Sequence, residues 1–523
     1  MQRSHLTRRD WLKTTTALTI ATAGSKLRPS SAAAGDTKEQ DVTDIDTRRE
    51  LFVDDVLIER LTGQANRRLH QPRPCDIALK HDEPWEGSGS GYHSVFQDDD
   101  VYRMYYKAWH LEAIQGRLNS SHHPLFCCYA ESKDGIEWQK PNLGLVEFEG
   151  SKQNNIVLAS GILNGANIDA GHPAVFKDQN PDTPADSRYK AIVRSRKPRG
   201  LHVLGSPDGL HWTPLSKEPV ITEGAFDSQN LAFWDPTIGK YRAYWRIFSN
   251  NIRAIRTATS DDFVHWGLHT ELQYKDSPAE HLYTNQVKPY HRAPHILIGF
   301  PTRYVDRGWS DSTKALPELE HRELRGSSTE RYGTAVTEGL LMASRDGVRF
   351  NRWNEAFLRP GIQRPGTWNY GHQYIAWHVV ETKSHLPGAP PELSLYATES
   401  YWTGSGSALR RYTLRLDGFV SVNAPMSGGE LFTKPVTFAG TELRLNFATS
   451  AAGGIRVEIQ DTDGSALPGY GLDDCQVIFG DELDRTVSWK SGGDLSNLNG
   501  RPVRLRFQLK DADLYAYRFQ GQT

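Results

Sequence analysis

Cysteine is scarce: four residues in 523, at Cys75, Cys127, Cys128 and Cys475. None stands in a C-x-x-C pair or beside a His/Cys cluster, which argues against a structural zinc site and a disulfide-stapled scaffold. Cys127 and Cys128 are adjacent on a predicted strand and point to opposite faces. All four are expected as buried free thiols rather than as a Cys75 disulfide. Charge of one sign is missing too: the formal net charge is -2, with no basic face and no acidic tail. Nucleic acid is therefore not an expected partner. Beyond the first residues no apolar run is long enough to span a bilayer, so the mature chain is expected to have no membrane span. What the chain does have is aromatic side chains, at 10% of residues within a hydrophobic total of 38%. That balance predicts a soluble, core-forming β protein with flat ring surfaces of the kind sugars stack on. Most of the rings are expected simply to fill the core.

Residues 1–34 read as an address. Arg8 and Arg9 precede Trp11-Leu12-Lys13, a weakly apolar stretch, and Ala32-Ala33-Ala34. The order resembles a bacterial twin-arginine export signal with its small-residue cleavage site. It implies an exported protein, periplasmic or extracellular, moved in the folded state.

One pattern repeats: "SKDGIEW" (132–138), "SPDGLHW" (206–212), "SDDFVHW" (260–266) and "SRDGVRF" (344–350), with a degenerate fifth copy around Asp417. Asp-Gly corners suit tight turns, and the following aromatic returns to the core. Two strand-like runs precede each corner, the second alternating and aromatic, as in "VYRMYYKAW" and "KYRAYWRIF". Five such groups predict an all-β fold: a five-bladed β-propeller over residues 45–426. Segment 306–331 reads as a loop insertion, and "LFVDDVLIE" (51–59) as a strand that closes the ring or packs beside it. After Ser427 the repeat stops and strands alternate about every ten residues, which predicts a C-terminal β-sandwich over 427–523.

Propeller geometry gathers the leaders of the innermost strands around one opening. Those leaders are Glu86 and His93, then Asp169 and His172, then Asp227, Gln229 and Asn230 of "FDSQN". The fourth and fifth groups supply Glu280, Tyr283, Asn285 and Gln286, then Trp368, Tyr370 and His372. The second strands return to the same opening with Lys107, Trp109, Arg194, Arg246, Arg303 and Glu399. Carboxylates, amides, rings and cations together form the mixture that binds saccharides. A turn role for each acid, and a core role for each histidine, are the plainer alternatives.

The five-bladed layout, the S-x-D-G-x-x-W corners and the trailing β domain resemble the β-propeller glycosidases, the arabinanase/xylosidase and invertase/levanase families. A group of exported bacterial glycosidase-like proteins shares the "FDSQN", "LYTNQ" and "MASRDG" segments. The resemblance implies acids on the innermost strands of successive blades, hence Asp169 and Asp227 as catalytic. The first blade departs from the pattern, with His93 where an acid is expected, and Glu280 is the candidate second carboxylate. Glu86, His93, His172, Gln229, Asn230, Arg246, Tyr283, Asn285, Arg303, Trp368 and His372 are the candidate substrate-binding residues. The implied activity is hydrolysis of a poly- or oligosaccharide, anionic in one version, by paired carboxyl groups. No cofactor is required, although such axial funnels can hold Ca²⁺. A non-catalytic glycan-binding propeller is the main alternative; a protein-interaction propeller and a uronate lyase are the others.

Overall fold

The Ser-x-Asp-Gly corners turn out to be built by one hydrogen-bond scheme. The computed structural model describes residues 42–521, so the export signal read over 1–34 lies outside the described residues. At three of the corners the serine hydroxyl accepts from the glycine N–H at 2.9 Å: Ser132 from Gly135, Ser206 from Gly209 and Ser344 from Gly347. Each aspartate carboxylate then accepts from the next two backbone N–H groups, as Asp208 does from Leu210 (2.8 Å) and His211 (2.9 Å). The glycines sit at φ +70°, +82° and +78°, a region that costs an L side chain energy. In the third corner Phe263 takes that position at φ +70°.

At three of the corners the aromatic that follows reaches the preceding blade. Trp138 meets Tyr396, Trp212 meets Tyr105 and Phe350 meets Tyr244, all edge-on. All three tyrosines lie on second strands. Their alternating aromatic pattern therefore records contacts between blades as well as within them.

The chain is mostly β, with 49% strand and 5% helix, arranged as a five-bladed propeller with additional sheets. The first blade runs outward from Gly91–Asp98 through Val101–Ala108 and Phe126–Ser132 to Ile156–Ala159. The second is built on Ala166–Lys177, Tyr189–Arg196 and Arg199–Ser206. The third uses Leu231–Asp235, Lys240–Ser249 and Ile252–Ser260. The fourth uses Lys288–Tyr290, Ala293–Gly299, Met342–Ser344 and Arg349–Arg352. The fifth is Val380–Thr382, Glu392–Glu399 and Ala408–Leu414, and its outer strand is Arg73–Lys80 from the start of the chain.

Ring closure thus falls to residues 73–80 and not to 51–59. Residues 50–51 pair with the last strand of the chain instead. The insertion at 306–331 is not a bare loop. It carries helices Asp311–Lys314 and Leu319–Gly326, and Arg331–Thr334 follows it. Two buried arginines hold it: Arg322 Nε donates to the Pro317 carbonyl at 2.8 Å, and Arg325 Nη2 to Asn369 Oδ1 at 3.2 Å.

The region after 427 is a curled sheet centred on Glu442–Gln460 and Arg504–Gln520, which pair along their lengths with a register shift between Thr449 and Gly454. Ile58–Gly63 and Asn66–Leu69 complete that sheet, so segment 427–523 does not close it alone. Leu443, Leu445 and Phe447 from one end of the long strand share a core with Ile455, Val457 and Ile459 from the other. The fifth corner has a different use. Asp417, fully buried, accepts from Arg292 Nε and Tyr290 Oη at 2.8 Å, pairs with Arg49 at 3.2 Å, and accepts from Asn446 at 3.0 Å. Burial would raise its pKa, but the two guanidinium groups outweigh burial and hold the carboxyl below its ordinary value.

Candidate functional site

Asp227 reaches the site because Asn230 shapes the turn ahead of the third blade. The Asn230 amide donates to the carbonyls of Phe226 (3.1 Å) and Ser228 (2.9 Å), and its oxygen accepts from the Arg246 N–H (3.2 Å). Ser228 donates to the Tyr283 carbonyl at 2.7 Å. With its neighbours tied inward, the Asp227 side chain is left 70% exposed in a cavity of 750 Å³. The run Asp227 to Asn230 is therefore one projecting acid and three buried braces.

Among the described residues Asp227 is the only carboxylate that lines this cavity. Behind it, the buried Asp169 accepts from Arg194 Nε at 2.9 Å and Arg196 Nε at 2.8 Å. His172 stands between the two acids, Nε2 at 3.3 Å from Asp227 and Nδ1 at 3.4 Å from Asp169. Arg194 Nη1 also reaches Asp227, at 3.1 Å. The His172 contact, with Arg246 and Arg194, holds the Asp227 carboxyl well below its ordinary value, and its exposure lets solvent screen that pairing. For Asp169 burial works upward, and His172 and Arg194 override it. Both acids are ionised at neutral pH, so neither is a proton reservoir.

The cavity's tunable proton lies elsewhere. Lys107 is 3% exposed, donates to Tyr401 Oη at 2.9 Å, and lies 4.6 Å from the Tyr92 ring centre and 5.0 Å from that of Trp109. Burial lowers its pKa to about 7, against the opposing pull of Asp227 and Asp169. Tyr92, at φ +54° on a bulged stretch of the innermost strand, supplies a phenol where the first blade was expected to supply an acid. Tyr283, Tyr370, Tyr401 and Trp402 continue the aromatic wall, with Tyr370 Oη donating to Tyr283 Oη at 2.7 Å.

Of the residues singled out from sequence, Asp227, His172, Arg246 and Tyr283 line the cavity, and Asp169 backs it. Lys107, Trp109, Arg194 and Tyr370, read as neighbours of the opening, line it too. The others do not line it. Glu280 is not brought to the cavity; Arg303 (3.2 Å) and Arg352 (2.9 Å) pair with it beside Glu338. Arg303 goes with it, because Glu338 and Glu280 engage its guanidinium. Glu86 is fully buried and bonded to Tyr106 and Lys140, each at 2.6 Å; burial raises its pKa. His93 is a core histidine, Nε2 to Nε2 with His81 at 3.0 Å, and burial holds its pKa well down.

Gln229 is an axial brace: its amide donates to the Tyr92 (3.0 Å) and Pro173 (2.9 Å) carbonyls and accepts from Gln286 (2.8 Å), tying four blades. Asn230 and Asn285 are buried turn-formers, Asn285 accepting from Val287 N–H at 3.3 Å. His372 is buried and accepts from the Trp368 N–H at 3.0 Å; burial lowers its pKa to about 3. Trp368 lines a separate shallow cavity with Arg303 and Glu338. Glu399 is bonded by Arg410 at 2.6 Å and by Arg364.

Sequence reasoning did not find Tyr92, Arg196, Arg199, Arg253, Arg331, Tyr332, Tyr401 or Trp402, all of which line the cavity. The pair "YW" just after the fifth blade's second strand was a usable signal. Arg331 was hidden at the end of the insertion. Among the described residues no group of three or more His, Cys, Asp or Glu is placed to hold a metal ion. The four cysteines are free, with Cys75 half-buried and the others buried.

Residues 93–284 match the family model described as the glycosyl hydrolases family 32 N-terminal domain. No curated protein matches the chain. Among solved structures, the catalytic domain of the GH62 α-L-arabinofuranosidase of Coprinopsis cinerea aligns at 9% identity, covering 66% of this chain and 99% of its own, with a TM-score of 0.41. The GH32 β-fructofuranosidase of Bombyx mori aligns at 10% identity over 87% of this chain and 95% of its own, with a TM-score of 0.36.

Proposed function

From the premise that residues 93–284 form part of a propeller like those of the glycoside hydrolases, we propose that the cavity binds a poly- or oligosaccharide and hydrolyses its O-glycosyl bond. The observation that carries this is the placement of one projecting carboxylate, Asp227, and one buried amine, Lys107, on the walls of one ring-lined cavity. The volume, 750 Å³, suits a few sugar units. Tyr92, Tyr401 and Trp402 offer faces for sugar C–H groups.

Hydrolysis breaks the anomeric C–O bond, delivers a proton to the leaving oxygen and water's oxygen to the anomeric carbon. In this reading Lys107 gives the proton, and Asp227 stabilises the developing positive charge or engages the attacking group. Asp169, His172 and Arg194 position Asp227. The two-carboxylate scheme with Glu280 is set aside, because Glu280 sits in its own arginine cage. The proposed step uses no cofactor. The test is reducing-end release from a panel of plant and algal polysaccharides by the parent protein and Asp227→Asn. The variant is expected to lose about 10²–10⁴-fold in turnover, and full turnover by it rejects the assignment.

A second reading is favoured by the single lining carboxylate: a glycan-binding propeller without turnover. Binding to the same panel with no release by the parent protein supports that reading instead. We propose that residues 1–34 act as a twin-arginine export leader and that the mature protein works outside the cytoplasm; a mature N-terminus after Ala34 in exported material is the check.

A further inference from the structure

The charges of the cavity wall do not balance. Arg194 and Arg196 are engaged by Asp169 and Asp227, but Arg253 and Arg331 have no carboxylate partner among the described residues. Arg246 comes only to within 4.0 Å of Asp227. Arg253 lies 4.5 Å from the ring centre of Tyr304 and 5.2 Å from that of Tyr283; Arg246 lies 5.1 Å from the same Tyr283 ring. Arg331 stacks on Tyr332 at 4.5 Å and donates to its hydroxyl at 3.1 Å.

Rings hold these guanidinium groups in place without neutralising them; Arg246 Nε is given to the Ala225 carbonyl at 3.0 Å and Arg253 Nη1 lies 3.4 Å from His281 Nδ1, and the remaining N–H groups are left for an acceptor. Arg253 Nε is buried with no hydrogen-bond acceptor among the described residues.

We propose that Arg253 and Arg331, with Arg246 between them and Asp227, form an anion subsite that selects saccharides carrying a carboxylate or sulfate group. The proposal rests on the reading of the cavity as a saccharide site and names the substrate class it takes. A tetrahedral or planar oxyanion accepts two N–H bonds from one guanidinium, which a hydroxyl cannot do with the same strength. The subsite lies on the side of the third and fourth blades. Asp227 stands at the head of the same third blade that carries Arg246 and Arg253, so the subsite adjoins the projecting carboxylate.

The experiment is calorimetric titration of the full chain with matched pairs of oligosaccharides. One pair is tetragalacturonate and its carboxyl-reduced counterpart; the other is a sulfated galactan tetrasaccharide and its desulfated form. At least one anionic member is expected to bind roughly ten- to a hundredfold more tightly than its neutral partner. Which pair shows the preference distinguishes uronate from sulfate ester. Arg253→Gln and Arg331→Gln are each expected to collapse that ratio, and Arg253→Lys to restore only part of it, since an ammonium lacks the fork. Melting curves of the variants confirm folding, and Arg331→Gln, at the surface end of the insertion, stands in if Arg253→Gln does not fold.

No preference in either pair overturns the proposal, as does a preference that survives both glutamine variants. A charge preference lost in these variants, in a protein with no turnover, leaves the subsite standing while the hydrolase reading fails. Turnover of neutral glycans that depends on Asp227, without a charge preference, does the reverse.

Discussion

At the scale of single residues, position in the strand says less than what surrounds the side chain. His93 and His172 both stand near the heads of innermost strands, yet His93 pairs with His81 in the core while His172 bridges Asp169 and Asp227. Lys107 is the clearest case of environment setting chemistry. Because its pKa is lowered to about 7, kcat/KM for hydrolysis is expected to stay level below pH 7 and fall above it, as the ammonium donor is lost. A profile that rises through pH 7 instead would remove Lys107 from the donor role.

The same shift makes a stability prediction. The unfolded chain holds its lysine proton up to about the ordinary value of 10.5, while the folded chain releases it near 7. The unfolded state thus binds more protons between those values, and the Lys107 contribution to stability rises with pH across that window. Urea titrations of parent and Lys107→Met are expected to show the variant's relative stability greatest below pH 7 and declining toward pH 10.5. A difference independent of pH would contradict the buried-ammonium assignment. From the sequence alone Lys107 was legible as a neighbour of the opening, but not as a perturbed base. Tuning of this kind comes from rings supplied by distant strands, Tyr92 and Tyr401 among them.

Among elements, the repeated corner is where sequence and structure agree most closely. Ser, Asp and Gly each have a fixed hydrogen-bond or dihedral task there, so the pattern survives in the residue types themselves. The blades followed from it. The closing strand did not, because Arg73–Lys80 carries no corner and pairs with a partner more than three hundred residues away. The insertion was misread for a related reason: its helices are anchored by buried arginines bonding carbonyls, a pattern that local composition reads as loop. The aromatic after each corner is expected to matter for stability in proportion to its burial. Trp212 is 5% exposed and edge-on to Tyr105. Trp212→Ala should cost about 3–5 kcal/mol by equilibrium denaturation. The half-buried Trp266, changed the same way, should cost distinctly less; equal costs would show that the contact between blades is not what the residue provides.

For the whole molecule, the described chain is held as one compact unit by its two ends. Residues 50–69 complete the curled sheet, residues 73–80 complete the fifth blade, and Asp417 joins Arg49 to Arg292 where sheet and blades meet. Removal of residues 42–80 is expected to abolish cooperative unfolding followed by circular dichroism, and a cooperative transition in the truncated chain would contradict that role. Asp417→Ala removes the buried carboxylate shared by Arg49 and Arg292, leaving them only Asp484 at 3.5 Å and Glu381 at 3.4 Å, and should cost about 3 kcal/mol near neutral pH. The Asp417 contribution is present above the ordinary carboxylate range, and it is lost as pH falls through the depressed folded value. This architecture is what brings Asp227 of the third blade, Lys107 of the first and the rings of the fifth to one cavity. The most direct test is formate rescue of Asp227→Gly on a glycan that the parent protein cleaves. Turnover is predicted to fall about 10²–10⁴-fold and to recover in part when formate fills the vacated carboxylate position. Undiminished turnover in the variant without formate would contradict the account.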